Sequence, residues 1–201
     1  MKSMKQTRQS GLRRLAVTGI LAAVATVLMM LEFPIPFLIP GFIKFDFSEL
    51  PALLAAFSMG PLSGVAVCLV KNLIHLPLTT TGCVGELCNF LLGVCFVLPA
   101  GILYRLRKSR RAALIGALVG AAAMAACSVP LNYFVSYPVY TKFMPLDAIV
   151  GAYQALVPGV DGLLQCLVLF NMPFTFCKGL IDTLLVFLIY KHLSPILHGR
   201  R

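Results

Sequence analysis

The chain has 201 residues, of which 59% are hydrophobic and 12% charged, and its formal net charge is +10. A soluble domain typically carries about 25% charged residues, so this composition excludes an ordinary water-soluble core and makes the bilayer the solvent. The positive excess would suggest a nucleic-acid partner in a soluble chain, but its confinement to a few clusters argues against that class.

Lys2, Lys5, Arg8, Arg13 and Arg14 surround the start of the first apolar run, Leu12 to Leu31. Ala23-Val24-Ala25 has the small residues of a signal-peptide cleavage site. The run outlasts a typical signal core, however, and further apolar runs follow, so an uncleaved first helix is expected. Within it, Gly19-x-x-x-Ala23 and Ala22-x-x-x-Thr26 place small residues where another helix can approach closely. That helix could belong to this bundle or to a partner.

The prolines of Phe33-Pro34-Ile35-Pro36 and Pro40-Gly41 exclude regular helix from the next segment. A second, short apolar run covers 49–59, with Ser48 as a candidate N-cap and Pro51 in the first turn. Gly60-Pro61 breaks it from a third run over 62–76. Pro77 to Val84, with three consecutive threonines, reads as an exposed turn. The fourth run, 85–104, stops at Arg105, Arg107, Lys108, Arg110 and Arg111. The fifth, 112–136, is rich in Ala and Gly. A moderately apolar connection follows, with an interfacial helix expected over Ala148 to Val157. The sixth run, 162–190, ends against Lys191, Arg200 and Arg201.

These runs predict an all-α integral membrane protein, a single domain over 1–201 built as one bundle of six transmembrane helices. The positive-inside rule places the basic clusters, and with them the N and C termini, on the cytoplasmic side. Only Lys44, Lys71, Lys142 and Lys178 fall outside those clusters.

Polar groups inside apolar spans are costly and commonly mark a substrate path or pair with one another. Glu86, Asn89 and Asn132, with Lys71, Asn72, Asp46 and Glu49, fall in the outward half of the predicted topology and converge on an extracellular-side cavity; Lys178 lies deeper. Structural readings compete with this one. Lys178 and Asp182 are one turn apart and could neutralise each other. Lys71 could pair with Asp46, Glu49 or Glu86, and Asn89 and Asn132 could be interhelical hydrogen-bond links. His75 reads as interfacial, and His192 and His198 as solvated tail residues.

The seven cysteines form no Cys-x-x-Cys pair and no zinc-site spacing, so no metal ligands are assigned and no disulfide is expected. The sequence has no Gly-x-x-x-x-Gly-Lys-Ser/Thr phosphate loop, no His-Glu-x-x-His and no Gly-x-Ser-x-Gly. No catalytic residue is assigned. What remains is a solute-binding membrane bundle that needs outside help to transport.

Several segments occur together in an order that resembles the substrate-binding S components of energy-coupling factor (ECF) transporters, of the riboflavin type. They are Phe33-Pro34-Ile35-Pro36, Phe45-Asp46-Phe47-Ser48-Glu49-Leu50-Pro51, Gly60-Pro61, Lys71-Asn72-Leu73, Gly85-Glu86-Leu87-Cys88-Asn89-Phe90, Asn132-Tyr133 with Pro138-Val139-Tyr140, and Pro173 to Gly179. The resemblance implies capture of riboflavin from outside as transported substrate rather than cofactor. It also implies uptake driven by two cytoplasmic ATPases through a transmembrane coupling protein in the cell membrane.

The implied flavin contacts are the Leu38 to Lys44 loop, Asn132, and Thr175 with Lys178; Asn89, from the outward polar groups, is a candidate substrate contact beside them. Thr175 stands where the family has Asn, and Asn171, one turn away, could compensate. The small-residue face of the first span, Gly19, Ala22 and Ala23, is the implied contact with the coupling protein. Other readings are an S component for folate or another planar heterocycle, a small intramembrane enzyme using Lys178, Asp182 and Glu86, and a structural subunit without a ligand.

Overall fold

Apolar runs of this length bury their backbone hydrogen bonds in helices, and the computed structural model is mostly helical. It describes residues 2–79 and 81–198, with side chains from 11 to 190 except Thr80. The side chains of Lys2, Lys5, Arg8, Lys191, His192 and His198, and the whole of Thr80, Arg200 and Arg201, therefore lie outside the described part.

The order of elements is α1 (Lys2–Met30), a hairpin of β1 (Phe33–Pro34) and β2 (Lys44–Phe45), α2 (Glu49–Met59), α3 (Pro61–His75), α4 (Val84–Leu106) and α5 (Arg110–Leu131). Then come a π-helical turn (Asn132–Ser136), α6 (Tyr137–Tyr140), α7 (Leu146–Gln154), α8 (Leu163–Cys166), a second π-helical turn (Leu167–Asn171) and α9 (Met172–His198). A helix, α7, stands where an interfacial one is expected over 148–157, and the fifth and sixth runs are each one long helix interrupted by a π turn.

Among the described residues, five segments are long and apolar enough to cross a bilayer: Gly11–Met30, Pro61–Leu78, Val84–Leu106, Arg110–Tyr140 and Leu163–Tyr190. The expected second span is shorter. With 11 residues, α2 rises roughly 16 Å, about half of a ~30 Å hydrocarbon core. The all-α expectation is corrected in one detail. Phe33 pairs with Phe45 and Pro34 with Lys44 in a two-residue antiparallel ladder. Pro34 is tolerated there because this is an edge position.

The main core holds Ala22 and Ala25 of α1, Ala52 to Phe57 of α2, Val67 and Cys68 of α3, Phe96, Val97 and Ala100 of α4, and Ala113, Ala117 and Ala121 of α5. Leu15, Ile20, Leu62, Leu73, Ile115, Val119, Leu184 and Leu188 are exposed. On a soluble protein such a belt would drive aggregation; on this one it is the lipid-facing surface.

Small residues set the helix separations. A Cβ at Gly120 of α5 would be driven into the Phe96 carbonyl oxygen of α4. Gly120→Ala is therefore expected to destabilise the bundle by about 1–3 kcal/mol, read as a lower unfolding temperature in detergent. An unchanged midpoint would show that α4 and α5 can separate freely.

Candidate functional site

The C-terminal ends of α1, α3 and α5 meet the N-terminal ends of α2, α4 and α9 around one cavity of about 390 Å³. This is the end of the bundle where Asp46, Glu49, Glu86, Asn89, Asn132 and Lys178 were expected to converge, and all six line the cavity. Lys71 and Asn72 stand one step behind them, bonded to Glu49 and Asn89.

The hairpin is fixed over this end by aromatic packing. Phe45 meets Phe174 of α9 edge-on with ring centroids 6.0 Å apart, and Phe47 at 5.1 Å. Ile39 is fully buried in the same cluster, so its neighbour Leu38 points away and is 51% exposed. Of the predicted loop, Phe42, Ile43 and Lys44 line the cavity and Leu38 does not. The hairpin backbone places residue 44 at the cavity, and Lys44 pairs there with Glu32.

Beneath the hairpin lie two buried ion pairs. Lys178 Nζ donates to Asp46 Oδ2 at 2.7 Å, and Lys71 Nζ donates to Glu49 Oε1 at 2.6 Å and to the Ser48 hydroxyl. Ser48 thus does not cap α2 with its side chain. Its backbone N–H instead donates to Asp46 Oδ1 at 2.7 Å. Room for the Glu49 carboxylate exists because Gly93 of α4 has no side chain; a Cβ there would lie 2.9 Å from Glu49 Oε2. Burial acts to raise the Asp46 pKa, but the Lys178 and Lys71 charges and the hydrogen bonds outweigh it and hold the carboxyl below the usual carboxylate range.

The alternative reading, in which Lys178 and Asp182 neutralise each other, is not met by a hydrogen bond between them. Lys178 turns to Asp46, while both Asp182 oxygens are buried without a hydrogen-bond partner among the described residues. His75 is also more than interfacial. Its Nδ1 lies 3.0 Å from Glu86 Oε1, and Thr79 donates to the other carboxylate oxygen at 2.8 Å, which closes the α3–α4 side of the cavity.

The amides are oriented by their protein partners. Asn89 Oδ1 accepts from Asn72 Nδ2 at 3.3 Å, which leaves the Asn89 Nδ2 donors for the cavity. Asn132 is reversed: its Nδ2 donates to the Ser128 carbonyl at 2.7 Å, leaving Oδ1 as an acceptor. Asn171, Thr175 and Lys178 recur at helical spacing along the start of the last span, and all three line the cavity. Asn171 Oδ1 accepts from Tyr153 at 2.7 Å. Sequence reasoning passed over Tyr153, Tyr137 and the role of Asp46 as partner of Lys178. Asn132 opens one π turn and Asn171 closes the other. Such turns frequently mark functional sites, but nothing in apolar periodicity announces them.

On α1 the predicted partner-contact residues divide. Gly19 and Ala23 are exposed, and a Cβ at Gly19 would meet nothing within 4 Å. Ala22, by contrast, is 1% exposed in the bundle's own core, as is its partner in the pattern, Thr26, at 5%. Ala22 is therefore corrected from a partner contact to an internal one. Residues three or four apart share a face while residues 22 and 23 differ by about 100° around the helix, so the two patterns cannot face one surface equally.

A membrane bundle with one end-on cavity, apolar walls and a few oriented amides and charges is a solute-binding membrane protein. The chain belongs to the substrate-specific components of ECF transporters: residues 13–190 match the family model described as ECF transporter, substrate-specific component. It is similar to the riboflavin transporter RibU of Staphylococcus aureus (strain TCH60), 34% identical over 185 residues that cover 92% of each chain. It is likewise similar to the riboflavin transporter FmnP of Bacillus subtilis (strain 168), 33% identical over 194 residues covering 94% of this chain and 96% of that one. Among solved structures it matches the S component of a bacterial ECF transporter with a TM-score of 0.73 and 33% identity, over 94% of this chain and 98% of the other.

Proposed function

We propose that this chain is the riboflavin-capturing subunit of an ECF transporter in the cell membrane, a single membrane domain over residues 1–201. It takes the vitamin from the outer side and works with a transmembrane coupling protein and two cytoplasmic ATPases. The observation that carries the reading is the donor and acceptor set around the cavity. Asn89 and Asn171 offer N–H donors, Asn132 offers an acceptor, and Lys178 has hydrogens beyond the one given to Asp46. The flat ring of riboflavin carries an amide-like edge in which carbonyl acceptors flank an N–H donor, and amides complement such an edge. Phe42, Phe174, Tyr137 and Tyr140 supply apolar wall for the ring. The riboflavin transporters among its relatives, similar over nearly the whole chain, support the same substrate.

The basic loop Arg105 to Arg111 and the α2–α3 turn lie at the opposite end of the bundle from the cavity. Arg14 of α1 hydrogen-bonds Ser63 of α3 at 3.1 Å on that side. With the positive-inside rule this supports cytoplasmic termini and an outward cavity, α2 serving as a sixth, short crossing.

Expressed in riboflavin-containing medium and purified in detergent, the protein is expected to be yellow with a flavin absorbance spectrum. Colourless protein carrying a different vitamin would overturn the substrate. Uptake that persists without any ATPase partner would overturn the energy-coupling role.

A further inference from the structure

Tyr153 lies on α7, outside the five long apolar segments, and does not line the cavity. It is nonetheless fully buried, as is Tyr137 beside it. Burial pushes its hydroxyl pKa up, so it stays protonated at physiological pH. Its hydroxyl touches two groups, the Tyr137 hydroxyl and Asn171 Oδ1.

Each phenol has one proton, and this fixes the direction of the chain. A carbonyl oxygen can only accept, so the Tyr153 proton goes to Asn171 Oδ1, and the Tyr137 proton goes to the Tyr153 oxygen. With Oδ1 occupied, the Asn171 amide cannot exchange its ends without placing N–H hydrogens against the Tyr153 proton. Its side chain also lies within hydrogen-bond reach of Tyr137, which can take at most one of the two Nδ2 hydrogens, and Asn171 lines the cavity, where the other is available. The Tyr153 ring is held in turn by Phe170 at 5.3 Å and, edge-on, by Phe42 of the cavity loop at 6.1 Å.

We propose that Tyr153 is a positioning residue for substrate: through its hydroxyl it locks the Asn171 amide with its donor end facing the cavity, where that end binds a carbonyl or hydroxyl oxygen of the ligand. This rests on the reading of riboflavin as the ligand. An unlocked amide would spend part of its time with the acceptor end inward, opposite an acceptor on the ligand.

A double-mutant cycle tests the link, using riboflavin titrations of the full-length protein in detergent. Tyr153→Phe keeps the ring and its packing and removes only the hydroxyl. It is expected to weaken riboflavin binding about tenfold, the size of one oriented hydrogen bond. Asn171→Ala is expected to lose at least as much. In the Asn171→Ala background, Tyr153→Phe is expected to cost nothing further, because the group it positions is gone.

A structural role for Tyr153 would give the same loss in both backgrounds, and that result overturns the proposal. So does an Asn171→Ala protein that binds like the wild type. Unfolding of the ligand-free proteins is read alongside, and Tyr153→Phe is expected within a few degrees of wild type. Should it not fold, Asn171→Asp, which keeps an acceptor for Tyr153 but has no N–H donor, is expected to bind riboflavin as weakly as Asn171→Ala, and wild-type affinity in it overturns the proposal. Wild-type protein that binds no riboflavin removes the substrate reading and this proposal with it, whereas wild-type binding without coupling removes this proposal alone.

Discussion

Lys178→Ala is expected to weaken riboflavin binding about 10- to 100-fold, the usual range for losing a hydrogen bond from a charged donor. The same substitution leaves Asp46 buried opposite an empty space. Removing one partner of a buried pair commonly costs about 3–5 kcal/mol, so the ligand-free protein is also expected to unfold at a lower temperature. The two effects separate in the variant carrying Asp46→Asn with Lys178→Met. It has no orphaned charge, and replacing a buried pair by neutral groups is often neutral for stability. Stability is therefore expected to return while the affinity stays low. Recovery of both would mean that Lys178 only supports the hairpin, and unchanged affinity in Lys178→Ala would remove it from the binding site.

Gly19→Leu is expected to leave riboflavin binding unchanged and to abolish most uptake by the assembled transporter. Gly19 is exposed with open space around the position of a Cβ, so the added side chain meets nothing in this chain. Replacing a helical Gly by Leu even favours the helix by up to about 1 kcal/mol. If this face, with Ala23 one turn on, seats the coupling protein, a Leu there holds the two helices apart. The loss in ATP-driven uptake is then expected to reach about 30-fold or more, as for a central interface residue. Ala122→Leu on the exposed face of α5 adds the same bulk elsewhere and is expected to leave uptake intact. Full uptake by Gly19→Leu would return that face to contact with lipid.

Fold and site were legible in the sequence to different degrees, for physical reasons. Long apolar runs bounded by Arg or Gly-Pro leave few alternatives in a bilayer, so the segments Gly11–Met30, Pro61–Leu78, Val84–Leu106, Arg110–Tyr140 and Leu163–Tyr190 were readable within a few residues. The short run 49–59 was read with the bounds that α2 takes, and its 11 residues already fall short of the ~20 that a full crossing needs. Costly polar residues in apolar spans pointed to the cavity, and Asn89, Asn132 and Lys178 line it; Thr175 and Asn171, which came from the family resemblance, line it too.

Which charge pairs with which was not readable. Lys178 has Asp182 a turn away, yet it turns to Asp46, 132 positions earlier in the chain. Pairing over that distance depends on where the hairpin lands, and Phe45 against Phe174 decides that. The neighbours Leu38 and Ile39, and Ala22 and Ala23, take opposite environments for a similar reason. Spacing gives a face but not what covers it. Tyr153 was passed over because a tyrosine in an expected interfacial helix announces no partner, and its importance lies in what it touches.

The role proposed for the cavity depends on riboflavin as its ligand. Titrating the purified, ligand-free protein with riboflavin and following the quenching of flavin fluorescence tests it most directly. Saturable quenching at one flavin per chain, weakened in Lys178→Ala, is the expected result. Unquenched fluorescence in a folded protein that binds another vitamin tightly would contradict it.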